Sequence, residues 1–270
     1  MTITNSGTAT TSTTPDPVQI RAWAEQFHRD GFLFLPNVLA PDHVAELKAD
    51  LDRVTTETLK RYRSHIELAN RMFEHSNANL RLFDLEPVVT LAERIIGDVT
   101  HVIHNNSFRS PTGGGGVGAW HQDDPPHYLV THGEPPTNVR LPVLVFSVNY
   151  YLTDVDALEH GPTEIIRGSH LFGRPCPPQI DPQKYSDKDK IVSCTGPAGS
   201  AVLCNSQAWH RGAPNTSDRV RYVTQVTYAR RIVGHKYYPF MNYVMPEHVY
   251  RDASPRLRGL LGFLPSGAYG

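Results

Sequence analysis

His121 and Asp123 stand two residues apart within Trp120-His121-Gln122-Asp123, and a further histidine, His210, and an arginine, Arg221, lie far downstream. On an extended segment the side chains at i and i+2 share a face, so His121 and Asp123 can close on one ion. His210 then has to arrive from a neighbouring strand that faces the same interior. Two imidazoles and one carboxylate occupy one face of an octahedral Fe(II) ion and leave the remaining positions open, the arrangement of non-haem iron oxygenases. A centre with only three protein ligands is open by construction, and chemistry needs that opening. The chain has 14 histidines, so an H-x-D triplet alone is a weak signal. Its weight comes from the residues that accompany it.

After His210 a turn over 212–218 leads into Arg221-Tyr222-Val223-Thr224-Gln225-Val226-Thr227, whose β-branched and aromatic content predicts a strand. Arg221, Val223, Gln225 and Thr227 share a face of it. An arginine that enters an apolar interior is costly unless it meets an anion, and its guanidinium fork matches a carboxylate bidentately. The implied ligand is a dicarboxylate co-substrate. Arg219 has the same parity as Arg221, so alternation alone leaves both arginines open.

Between these halves lie Leu152-Thr153-Asp154, Gly161-Pro162-Thr163-Glu164 and Gly168-Ser169-His170. Together with Trp-His-Gln-Asp and the His210…Arg221 pair, in this order, they give a chain that resembles the phytanoyl-CoA dioxygenase family of Fe(II)- and 2-oxoglutarate-dependent oxygenases, from about residue 31 and most closely over about 100–232. The resemblance implies a mainly β fold, a double-stranded β-helix (a jelly roll, or cupin-like barrel) buttressed by N-terminal α-helices. It implies His121, Asp123 and His210 as the catalytic iron ligands and Arg221 as partner of the distal carboxylate of 2-oxoglutarate. Thr163 would be a second contact to that co-substrate, and Asn105, on the strand before the metal motif, would face its iron-proximal end. Fe(II), 2-oxoglutarate and O2 are the implied cofactor and co-substrates, succinate and CO2 are released, and hydroxylation of an unactivated C–H bond is the default outcome. Halogenating relatives replace the ligand carboxylate by a small residue, and Asp123 stands against that chemistry. Two alternatives remain: a cupin-like metal dioxygenase that does not use 2-oxoglutarate, and a non-catalytic small-molecule-binding barrel.

The elements that must position these residues are legible in outline. Ile20, Trp23, Ala24 and Phe27 recur at helical spacing from Pro17 to Asp30-Gly31, and Phe32-Leu33-Phe34-Leu35 reads as a buried strand. A second helix follows Pro41-Asp42, with Val44, Leu47, Leu51 and Val54 on one stripe, and a third is expected over 86–96, closed by Gly97. Strands are expected at about 99–109, 118–123, 142–152, 163–167, 191–195, 200–205 and 220–232, a spacing that suits a sandwich or barrel. The four glycines over 113–116 read as a lid or entry loop. The proline-rich segment 124–140 belongs at the barrel mouth, where loops carry specificity, and His127 and Tyr128 are its candidate substrate contacts. The aromatic tail after His235 and the apolar stretch 257–264 would cover the active site or form a homo-oligomer contact.

Composition bounds the rest. The 270 residues accommodate one catalytic domain over 17–270 after a Thr- and Ser-rich tail, 1–16, expected to be disordered. A formal net charge of −1 gives neither a nucleic-acid footprint nor a polybasic membrane surface. No apolar run is long enough to span a bilayer and no signal-peptide pattern follows Met1. Three cysteines without zinc-type spacing read as free thiols in a reducing compartment, so the cytoplasm is expected. Without a basic patch a CoA thioester is disfavoured, which leaves a small or medium-sized metabolite of specialised biosynthesis as the expected substrate.

Overall fold

A computed structural model describes residues 16–58, 60–62, 66–97, 100–113, 118–181, 185, 190–236 and 243–263. The tail before Asp16, the glycines over 114–116 and the aromatic side chains of Tyr237, Tyr238 and Phe240 lie outside the described residues.

Helix α1 spans Pro17–Asp30. The Asp16 carboxylate accepts from the Val18 N–H, proline occupies the first turn, and Gly31, at φ 81°, closes the helix with its N–H on the Phe27 carbonyl. A side chain at position 31 is excluded twice over, because a Cβ there would lie 2.5 Å from the His170 ring. Strand β1, Phe32–Leu35, and α2, Pro41–Thr58, follow as expected. After α3, Asn77–Leu80, α4 covers Val88–Ile96. It begins two residues later than expected, with Pro87 as its N-cap.

Among the described residues nine further strands follow: β2 Lys60–Tyr62, β3 Ile66–Asn70, β4 Thr100–Ser110, β5 Val145–Tyr151, β6 Thr163–Ile166, β7 Ile191–Cys194, β8 Ala201–Asn205, β9 His210–Gly212 and β10 Arg221–Arg230. They form a seven-stranded sheet, β1-β8-β5-β10-β4-β3-β2, and a three-stranded sheet, β7-β6-β9. Every pairing is antiparallel. This is the expected jelly roll, with its functional side chains between the two sheets. The predicted strand at 118–123 is a single bridge at His121 instead: by Asp123 the backbone has left β9 and its N–H meets the Ser206 carbonyl in the β8–β9 turn. The β2–β3 hairpin, unanticipated from sequence, widens the large sheet beside β4.

Behind the large sheet the helices bury Phe27, Leu47 and Leu91, and the turn after α3 buries Leu82 and Phe83, in one core with Phe146, Val148 and Tyr228. Helices α5, Glu247–Tyr250, and α6, Pro255–Leu260, complete the same layer. Leu260 and Leu261 belong to that core, and Arg256 pairs with both Glu86 and Glu93 at 2.7 Å. The apolar stretch from Leu257 as far as Leu261 therefore packs on its own chain, and none of it lines the cavity described below; Leu264 lies outside the described residues.

Candidate active site

The short strand β9 opens on His210, and the extended segment carrying His121 meets it in an antiparallel bridge. Each histidine N–H donates to the carbonyl of the other at 2.9 Å. Each imidazole also has its Nδ1 2.9 Å from a backbone carbonyl two residues earlier, Ala119 for His121 and Ala208 for His210. A carbonyl only accepts, so Nδ1 carries the proton in both rings and Nε2 is the nitrogen presented to the interior. Asp123 Oδ1 lies 3.8 Å from His121 Nε2 and 3.7 Å from His210 Nε2. These separations are within the reach of two ligand bonds of about 2 Å meeting at one ion. The three donor atoms lie within 4.8 Å of one another and face an open cavity. The donor set fits a six-coordinate Fe(II) with positions left for other ligands.

Burial pushes the His121 imidazole below its usual range, helped by the charge of His210. At His210 burial acts the same way, but the adjacent Cys204 sulfur and Asp123 carboxylate outweigh it and raise the ring to about 10.

Arg221 opens β10 beside the same cavity, opposite Ser110 of β4. It is 4 % exposed. Its guanidinium is 3.3 Å from the Ser110 hydroxyl and 3.4 Å from the Ala213 carbonyl, its Nε has no partner, and no described carboxylate pairs with it. Burial lowers its affinity for its own proton. Arg219 lies before the strand begins and pairs with Asp156 at the surface, so the two arginines that parity left open are separated by where the strand starts. Thr163, at the start of β6, lines the cavity with Arg221. The Tyr151 hydroxyl accepts from the Thr163 N–H at 3.0 Å and donates to the Cys194 carbonyl at 2.8 Å, tying β5 across to the small sheet at this end.

Three expected residues are placed elsewhere. Asn105 is fully buried behind β4, accepting from the Phe73 N–H at 2.8 Å and donating to the Gln225 carbonyl at 2.9 Å. Alternation turns its neighbours His104, Asn106 and Phe108 to the cavity instead. His127 and Tyr128 do not line the cavity. The His127 N–H donates to the Gln207 side chain, the Tyr128 hydroxyl donates to the Leu171 carbonyl and the Val130 N–H donates to the Gly173 carbonyl, so residues 124–130 lie along the β8–β9 turn and the loop after β6, whereas Arg140 at the far end of the segment pairs with Glu25 of α1. Asn70, His104, Asn106, Asn149 and Tyr151 line the cavity without having been singled out. The strand pairings that align them across the sheet are the missing signal, and a single sequence does not carry it.

Residues 27–223 match the family model described as Phytanoyl-CoA dioxygenase (PhyH). The chain is 26% identical over 234 residues to L-proline trans-4-hydroxylase of Streptomyces griseoviridis, covering 76% of this chain and 84% of the relative. It is 26% identical over 219 residues to ectoine dioxygenase of Nocardia farcinica, covering 70% of each. The fold is that of the epimerase SnoN from nogalamycin biosynthesis, whose complex with Fe3+, alpha ketoglutarate and nogalamycin RO superposes with a TM-score of 0.65 at 20% identity, over 82% of this chain and 87% of that one.

Proposed function

This chain belongs to the phytanoyl-CoA dioxygenase family, and from that premise we propose that it oxidises, by default hydroxylates, an unactivated C–H bond of a small or medium-sized metabolite in specialised biosynthesis. It is a 2-oxoglutarate-dependent non-haem iron dioxygenase, with Fe(II), 2-oxoglutarate and O2 as cofactor and co-substrates. When bound, iron and 2-oxoglutarate supply the oxidising equivalent, and succinate and CO2 leave.

The chain's own residues hold and aim that chemistry. His121 Nε2, Asp123 Oδ1 and His210 Nε2 hold the metal, kept in place by the shared backbone bridge and the two Nδ1–H bonds. Arg221 receives the distal carboxylate, with the Thr163 hydroxyl in the same cavity. The observation that carries this reading is the buried guanidinium with no anion of its own, because such a group is stable in an interior only when a ligand brings the counter-charge. The cavity encloses about 510 Å3, the size that holds a drug-sized ligand, shared here between co-substrate and substrate. Arg221 is the only basic side chain in its described lining other than histidine, which fits a small metabolite better than a CoA thioester with its several phosphates.

No described helix is long and apolar enough to cross a membrane, and the three cysteines are free; we place the protein in the cytoplasm on that thiol chemistry.

Succinate release tests the activity. Purified protein with Fe(II), 2-oxoglutarate and O2 should form succinate slowly without substrate and faster with the right metabolite. Succinate formation that is absent, or independent of iron, would contradict the reading.

A further inference from the structure

Four carboxamides stand in one row across the large sheet. Asn70 on β3 is paired with Asn106 on β4, Asn106 with Gln225 on β10, and Gln225 with Asn149 on β5. All four line the cavity, as does His104 one step further along β4. A carboxamide offers donors and an acceptor but no charge. Gln225 Nε2 donates to Asn149 Oδ1 at 2.9 Å, which fixes both amides. Asn106 Oδ1 and His104 Nδ1 are buried polar atoms without a hydrogen-bond partner, and each such atom costs about 1–3 kcal/mol while it stays unpaired.

This row is separate from the Arg221 end. Four residues of β10 at about 3.4 Å each put Gln225 about 14 Å along the strand from Arg221, further than a five-carbon dicarboxylate held by the guanidinium extends. The row is therefore left for the second small molecule. Besides Asp123 and Arg221, no described lining residue is an acid, a lysine or an arginine. Burial first, and then the nearby Lys236 ammonium, push the His104 imidazole down to about 4 against the pull of Asp123, so it is neutral at physiological pH; Lys236 itself is exposed. A carboxylate or zwitterion entering such a wall loses its hydration and meets no cationic side chain among the described lining residues other than Arg221, which the co-substrate takes, whereas a carbonyl or hydroxyl exchanges water for amide partners.

We propose that Asn70, Asn106, Gln225 and Asn149, with His104, form the substrate-recognition wall, and that the substrate is a neutral molecule held by carbonyl or hydroxyl groups. This rests on the dioxygenase reading above and deepens it.

The test is binding to the anaerobic complex of protein, Fe(II) and 2-oxoglutarate, followed by calorimetry and by the shift of the chelate's visible band. The band itself reports the co-substrate complex, so its absence in the wild type would overturn the dioxygenase reading and not the choice of substrate class. The probes are L-proline, a zwitterion; cyclo(L-Pro-L-Pro), the same ring with both charges removed; methyl β-D-glucopyranoside, a neutral polyol; and octanoate, an apolar anion. A neutral probe should bind at least about tenfold tighter than L-proline or octanoate, and Gln225→Leu should weaken it by about tenfold while the band persists. Asn70→Leu, at the exposed end of the row, should weaken it in the same direction and keeps the test open if Gln225→Leu does not fold. Tighter binding of L-proline or octanoate, failure of both neutral probes to bind at millimolar concentration, or neutral-probe binding indifferent to both variants would overturn the proposal.

Discussion

Arg221 and Arg219 are two residues apart, yet Arg221 is buried without an anionic partner while Arg219 is held at the surface by Asp156. The buried guanidinium has lost most of its hydration and has only neutral oxygens in reach, so its stabilisation waits for a ligand. Arg221→Met should therefore raise the 2-oxoglutarate concentration needed for half-saturation roughly 10- to 100-fold, the loss of a charge-assisted pair. The ligand-free protein should melt no lower than the wild type, because an uncompensated charge has been removed. Arg219→Ala should change neither quantity. Equal effects of the two substitutions on co-substrate saturation would move the anion site away from Arg221.

His121→Ala and Asp123→Ala should each abolish Fe(II) binding and turnover and leave the circular dichroism spectrum unchanged. Both side chains are part-exposed in the cavity wall, and the segment is held by backbone bonds at His121 and Asp123 that survive truncation. Turnover at wild-type rates in either variant would remove these residues from the metal site.

Asn105 and Asn106, adjacent in sequence, should separate stability from binding. The Asn105 carboxamide joins a buried network in which Asn79 Oδ1 also accepts from Thr224 Oγ1 at 2.8 Å. Asn105→Ala should cost about 2–3 kcal/mol in urea unfolding, because it strands buried donors, and should leave 2-oxoglutarate saturation unchanged. Asn106→Ala, whose Oδ1 has no hydrogen-bond partner to lose, should cost less than about 1 kcal/mol. A larger loss of stability for Asn106→Ala than for Asn105→Ala would contradict the placement of the two faces.

Stability should fall with acid. Burial pushes both His101 and His104 down to about 4, with His235 and Arg231 adding to the effect at His101 and Lys236 at His104. The unfolded chain takes up these protons near pH 6.5, the folded one only near 4, so the unfolded state binds more protons in between. The stability is complete above pH 6.5 and drains away as pH falls toward 4, by on the order of 2–3 kcal/mol per histidine. Urea midpoints measured from pH 7.5 to 4.5 should show the slope, and His101→Leu should flatten it. An unchanged slope in that variant would show that His101 is not one of the groups responsible.

Much of this site is written locally. His121, Asp123 and His210 are marked by residue type and an i, i+2 spacing that holds although the segment is not a regular strand, since two backbone contacts keep it extended. The helices over Pro17–Asp30, Pro41–Thr58 and Val88–Ile96 follow from apolar spacing, and Gly31 and Gly97 mark the ends of the first and the last. What depends on strand pairing was not legible. Asn105 against Asn106 is a choice of one residue in parity, decided by β4 lying between β10 and β3. The carboxamide row combines residues from four strands whose order in the sheet differs from their order in the chain. Tyr128 carried the type of a substrate contact, but its hydroxyl is used on the Leu171 carbonyl, a partner that only the folded chain supplies.

The central claim is that one cavity joins an iron-binding triad to a buried arginine that awaits a dicarboxylate. The most direct measurement is an anaerobic titration of the metal-free protein, first with Fe(II) and then with 2-oxoglutarate, for the wild type and Arg221→Met. The predicted result is a visible charge-transfer band that saturates with one Fe(II) and one 2-oxoglutarate per chain and requires far more 2-oxoglutarate in the variant. Tight Fe(II) binding with no band at saturating 2-oxoglutarate would contradict the claim in favour of a metal dioxygenase that uses no such co-substrate, and no Fe(II) binding at all would leave only a binding barrel.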